Sequence, residues 1–79
     1  MYTVETFQMF MDHKIVAKFN NRFIGSIYEI EYHTLSPIIS FRNNKRQYDY
    51  WYSNDIETIE VLDKRYRNNS LFKLVLQNA

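Results

Sequence analysis

Between residues 13 and 62 the chain alternates apolar and polar residues in one short run after another, and this pattern restricts its fold more than any other feature. Residues 13–19 read His-Lys-Ile-Val-Ala-Lys-Phe, 28–32 read Tyr-Glu-Ile-Glu-Tyr, and 47–52 read Gln-Tyr-Asp-Tyr-Trp-Tyr. A last run, 54–62, closes the series with Ile56, Ile59, Val61 and Leu62. Alternation at period two gives each strand one buried and one wet face. Runs this short, broken by turn residues, predict a mainly β domain. The expected form is a five- or six-stranded antiparallel sheet, bent into a small barrel and preceded by a short helix. Such scaffolds carry many functions, so the fold alone does not name one.

The strands are expected at 13–19, 23–33, 38–42, 46–52 and 57–62. Ile15, Ala17 and Phe19 share one face of the first. Asn20 and Asn21 then turn the chain, because Asn tolerates the left-handed region. Gly25, the single glycine, lies in the second strand, and the alternation changes phase between Ile27 and Tyr28. Both features predict a bulge that bends the strand. Residues 34–37 form the next turn, and 43–45 a tight hairpin turn. Residues 53–55 open one helical turn capped by Ser53 or Asn54.

The two ends are less constrained. In 3–12, Val4, Phe7, Phe10 and Met11 recur at helical spacing behind Thr3 as N-cap, while Phe7, Met9 and Met11 also alternate like a strand. Gln and Met favour the helix. Residues 64–70 read as an exposed basic loop. Residues 71–76 are apolar again and must cover something, as a sixth strand (the preferred reading) or as a helix capped by Ser70. The whole of 1–79 is read as one domain: 1–12 the N-terminal element, 13–62 the barrel, 63–79 the basic loop and covering segment.

Size limits stability. A domain of 79 residues buries only about 60–65% of the surface its unfolded chain exposes. Cys is absent, so neither a disulfide nor a thiolate metal site can staple it. Seven Tyr, six Phe and one Trp are present instead, and aromatic burial is the expected substitute. Net charge is +1, from ten Lys and Arg against nine Asp and Glu, less basic than expected of a generic polyanion binder. The cations are clustered, with Arg42, Lys45 and Arg46 in one turn and Lys64, Arg65, Arg67 and Lys73 beyond the last acid. No apolar run reaches the ~20 residues a membrane helix needs. The first residues lack the cationic and apolar regions of a secretory leader, so a cytoplasmic protein with no membrane partner is expected.

Three segments together resemble a known pattern: the strand 14–19, the bent strand Gly25-x-Ile27-x-x-Ile30, and the entry Ser53-x-Asp55-Ile56-x-x-Ile59. They are similar to small barrels of the Sm-like and Src-homology-3-like type, and among bacterial proteins to the YolD-like family. The resemblance implies an Sm-like barrel but brings no defined catalytic or ligand residues. Sm proteins hold uracil with an Asp and an Asn. Here Glu29 and His33 stand near those positions, so oligo-uridine binding is not implied.

Neither His13 nor His33 lies in a nucleophile or metal motif, and no Gly-rich phosphate loop is present. The expectation is a non-enzyme with no cofactor and no metal. Tyr48, Tyr50 and Tyr52 share one face of the fourth strand, and Trp51 takes the other with Asp49. If the tyrosines line the core, Trp51 is left outside or half-buried; if Trp51 is core, three tyrosines form an exposed ridge. Either way a large aromatic reaches the surface, where Tyr and Trp are typical hot-spot residues. The leading expectation is therefore a protein-binding module acting through Tyr48, Tyr50, Trp51, Tyr52 and a strand edge, with self-association a further route. The Asn-rich, Cys-free character suits a phage or mobile-element protein that occludes a host enzyme or defence complex. The alternative is a single-stranded nucleic-acid binder using Arg42, Lys45, Arg46, Lys64, Arg65 and Arg67.

Overall fold

The computed structural model describes residues 2–32 and 35–77. Helix α1 (Val4–Asp12) begins where expected, with the Thr3 hydroxyl accepting the Thr6 N–H at 3.3 Å. It buries Thr6, Phe7 and Phe10. Beyond it Lys14 adopts φ 52°, the left-handed conformation that stops a helix. The Ile15 N–H then closes onto the Phe10 carbonyl at 3.0 Å. This tie shortens the first strand, β1, to Ala17–Phe19, against the 13–19 expected.

Five strands form one antiparallel sheet in the order β4-β3-β2-β1-β5, with β2 Phe23–Glu31, β3 Ile38–Arg42, β4 Tyr48–Tyr52 and β5 Ile59–Val61. The domain is mainly β and its sheet antiparallel, as expected, but among the described residues β4 and β5 remain edges and do not close a barrel. β2 carries the expected bulge. Its register with β3 shifts between Ile27 and Glu29, so Tyr28 is the extra residue, and both Tyr28 and Glu29 face outward. β4 starts later than expected because Arg46 has φ 60° and the Asn43 carboxamide oxygen accepts the N–H groups of Lys45 and Gln47, both at 3.0 Å. The hairpin loop is thus 43–47.

Asn20 and Asn21 adopt φ 51° and 54°, and Asn20 also ties β1 to the entry of β5. Its carboxamide donates to the Asp55 carbonyl at 2.9 Å and accepts the Glu57 N–H at 2.7 Å. The expected helical turn is a 3₁₀ turn, Ser53–Asp55, but neither Ser53 nor Asn54 caps it. The Ser36 hydroxyl, 3.1 Å from that of Ser53, accepts the Asn54 N–H instead, also at 3.1 Å.

Residues 71–76 correct the preferred reading: they lie in helix α2 (Ser70–Gln77), not a sixth strand. Nor is Ser70 its cap. The Asn69 carboxamide oxygen accepts the N–H groups of Leu71 at 2.9 Å and Phe72 at 3.3 Å. The helix buries one residue, Phe72, and leaves Leu71 and Leu74 exposed. Phe72 begins a line of ring contacts through the core: Phe10 at 6.2 Å, Phe19 a further 6.3 Å, Phe41 4.4 Å and Trp51 5.3 Å between centroids. Each such pair contributes roughly 0.5–1.5 kcal/mol beyond its buried area. Edge-on and tilted aromatic contacts join both helices to both halves of the sheet, as the composition led us to expect.

Candidate functional site

The β3–β4 register decides which face of β4 is wet. Trp51 pairs with Ile39 and Asp49 with Phe41, both buried, so Trp51 lies half-buried on the inner face. Tyr48, Tyr50 and Tyr52 pair with Arg42, Ser40 and Ile38 on the outer face. They are 57%, 66% and 49% exposed. Of the two arrangements the alternation allowed, the exposed tyrosine ridge is the one found. Trp51 packs instead between Phe41 and the Arg22 guanidinium, 5.5 Å from its ring centroid.

The bulge adds a fourth ring. Tyr28, pushed outward, meets Tyr48 edge-to-face at 5.8 Å, and Arg42 lies 5.1 Å over its ring. Ser40, between Glu29 and Tyr50 in the cross-strand row, is only 8% exposed, so the larger side chains around it cover it. Arg42, on β3, lies within this cluster beside Tyr48 and over Tyr28, and Glu29 stands next to Tyr28 on β2. Alternation alone could not supply Tyr28; the phase change at the bulge was its signal.

The backbone at this edge is partly closed. The Asn43 N–H bonds Gln47 at 3.1 Å and the Ser53 N–H bonds Pro37 at 2.7 Å, which fixes the hydrogen-bonded pairs of the hairpin. By that alternation the N–H and C=O groups of Tyr48, Tyr50 and Tyr52 point away from β3. The central donor is taken, however: the Tyr50 N–H bonds the Asp49 carboxylate at 2.8 Å. A carboxylate on an edge strand discourages another strand from pairing there. At the opposite edge the Ile59 N–H donates to the Tyr2 hydroxyl at 3.2 Å.

The two basic loops do not act alike. Arg42 and Lys45 line an open groove of about 980 Å³ with Lys14 and Arg22, neither of which the sequence had singled out. Arg46 is exposed beside it and is not part of its lining. The 64–67 loop is elsewhere. Arg65 grips Asp63 through Nη2 at 2.7 Å and Nε at 3.1 Å. These bonds hold the Asp63 carboxyl down at about 2, against the penalty of burial and helped by the Arg65 backbone N–H. The Tyr66 ring packs at a tilt against Phe72 at 4.7 Å and His13 at 5.6 Å, so the loop anchors α2. Lys64 and Arg67 are left as exposed cations.

His13 caps α1 and contacts Tyr66, and His33 lies outside the described residues. Among the described residues no three His, Asp or Glu converge as metal ligands, and no helix is long and apolar enough to cross a membrane. Comparison with family models, curated proteins and solved structures gives no match, so this geometry stands on its own.

Proposed function

We propose that this chain is a non-enzymatic protein-binding module whose docking surface is the outer tyrosine face of β2–β4. The observation that carries this reading is the clustering of Tyr28, Tyr48, Tyr50 and Tyr52, each more than two-fifths exposed, on one face. Four rings held by a sheet offer rigid, amphipathic area at small entropic cost, as hot spots require. Glu29 on the same face would repel a phosphate chain but would accept hydrogen bonds from a partner. Asp49 guards the ladder, so recognition runs through side chains more than strand addition.

The finer fold reading is ours as well. A bent β2 shared by both halves of the sheet, and a β5 that returns to pair with β1, support an incompletely closed barrel of the Sm-like or Src-homology-3-like type. The resemblance to the YolD-like family belongs to this proposal and rests on the sequence segments 14–19, 25–30 and 53–59. A small module of this kind would suit a phage or mobile-element protein that occludes a host enzyme or defence complex in the cytoplasm.

The test is affinity capture from a Gram-positive bacterial lysate, with and without nuclease. The reading expects one dominant protein that survives nuclease and is lost with Tyr50→Ser/Tyr52→Ser. Equal recovery by wild type and variant would contradict it. Recovery of the bait with no partner above background would contradict it as well.

A further inference from the structure

We infer that the groove between the α1 C-terminus and the β3–β4 hairpin is a second binding site, for the phosphodiester backbone of a single-stranded nucleic acid. Its lining holds four cations, Lys14, Arg22, Arg42 and Lys45, and no carboxylate. The chain as a whole is only +1, so the remainder of the molecule is net acidic and the positive field is local to this groove. None of the four has a carboxylate partner among the described residues.

Their positions are set by the fold. Lys14 stands at the left-handed residue ending α1, and Arg42 at the end of β3. Lys45 is at the hairpin tip, where Asn43 fixes the loop. Arg22 and Arg42 are held over the Trp51 and Tyr28 rings at 5.5 and 5.1 Å, so two guanidinia are already ordered. A groove of this kind attracts a polyanion by releasing its counterions.

The floor selects among polyanions. Ile24 and Val16 are 49% and 40% exposed, and Tyr28 offers a ring beside them. Unpaired bases stack on and pack against such surface, whereas a duplex keeps its bases inside. An acidic peptide would satisfy the cations but would leave the apolar floor wet. Asn44 and Gln47 add carboxamides that can pair with base edges. This site is independent of the protein-binding reading except at Tyr28 and Arg42, which border both surfaces.

The test is fluorescence anisotropy of the full chain with a labelled single-stranded oligonucleotide of about 12 nucleotides, titrated over a range of salt. The affinity should fall with salt at a log–log slope of about −2.8 if all four cations meet phosphates. Lys14→Glu/Lys45→Glu should weaken binding at least about tenfold and cut that slope by roughly half. Lys64→Glu/Arg67→Glu makes the same charge change outside the groove and should have a much smaller effect. Duplex of equal length and poly-glutamate should compete poorly. Absence of binding at low salt, equal loss in both double variants, or equal competition by duplex or poly-glutamate would each overturn the inference. Because neither double variant touches the tyrosine face, its failure would leave the protein-binding reading standing.

Discussion

The Arg42 guanidinium lies 5.1 Å over the Tyr28 ring, at the β-bulge where the tyrosine face of the sheet meets the cation-lined groove. One residue thus borders an aromatic surface on one side and an electropositive one on the other. Arg42→Ala should lower affinity for both a protein partner and an oligonucleotide, the latter with a salt slope reduced by about 0.7. Tyr48→Ala should weaken the first far more than the second, and Lys45→Ala the reverse. Parallel binding curves for the three variants check this. An Arg42 variant that leaves both affinities intact would show that the two surfaces do not meet functionally.

Trp51 and Tyr50 are neighbours in sequence on opposite faces, and their truncations should separate stability from binding. Trp51→Ala removes a ring packed on Phe41 and should cost roughly 3 kcal/mol, the low end for a large aromatic, because Trp51 is only half-buried. Tyr50→Ala should change stability by no more than about 0.5–1 kcal/mol. Urea unfolding followed by circular dichroism measures both. A Tyr50 variant as destabilised as the Trp51 variant would mean the ridge is structural.

Gly25→Ala should destabilise the domain. A Cβ there would lie 2.6 Å from the Arg42 carbonyl oxygen and 2.6 Å from the Phe23 ring. The ring can swing away, but the carbonyl belongs to the neighbouring strand and must shift with it. We expect a loss of about 1–3 kcal/mol, or some 5–20 °C in Tm for a domain of this size. An unchanged Tm would mean that β2 and β3 approach less closely than described.

Acid should loosen the 63–66 turn and α2 with it. The Asp63 carboxyl is held at about 2 by Arg65, below the ordinary value of 3.8. A depressed carboxyl stabilises the fold fully above its unfolded value and loses that contribution as pH falls through the folded one. The Asp63 contribution should therefore fade between about pH 4 and pH 2. Tm measured across that window should fall more steeply in wild type than in Asp63→Asn. Parallel slopes in the two proteins would contradict the assignment.

Period-two alternation located β1, β2, β4 and β5, the turns on either side of 38–42 located β3, and Gly25 with the phase change at Ile27 located the bulge. Thr3 and the spacing of Phe7 and Phe10 located α1. Strand ends were less legible, because local backbone bonds override alternation there. Lys14 and Arg46 enter the left-handed region and shorten β1 and β4 from positions where the sequence continues to alternate. Residues 71–76 misled because a short apolar run has no decisive period. Phe72 had to meet Phe10, Tyr66 and His13 before helix prevailed over strand.

The same distinction governs the surfaces. Tyr48, Tyr50 and Tyr52 were legible as one face, but which face was wet depended on the pairing of Trp51 and Asp49 with buried Ile39 and Phe41. The groove was only half legible. Arg42 and Lys45 stood out as a cluster, whereas Lys14 and Arg22 come from distant turns that only the tertiary fold brings together.

The most direct test of the central claim is site-specific photo-crosslinking in cells. A photoreactive phenylalanine analogue replaces Tyr50 in one variant and exposed Glu57, outside the tyrosine face, in another. We predict one discrete high-mass adduct from position 50, unaffected by nuclease, and none of comparable yield from position 57. Equal adducts from both positions, or none from position 50, would contradict a docking role for the tyrosine face.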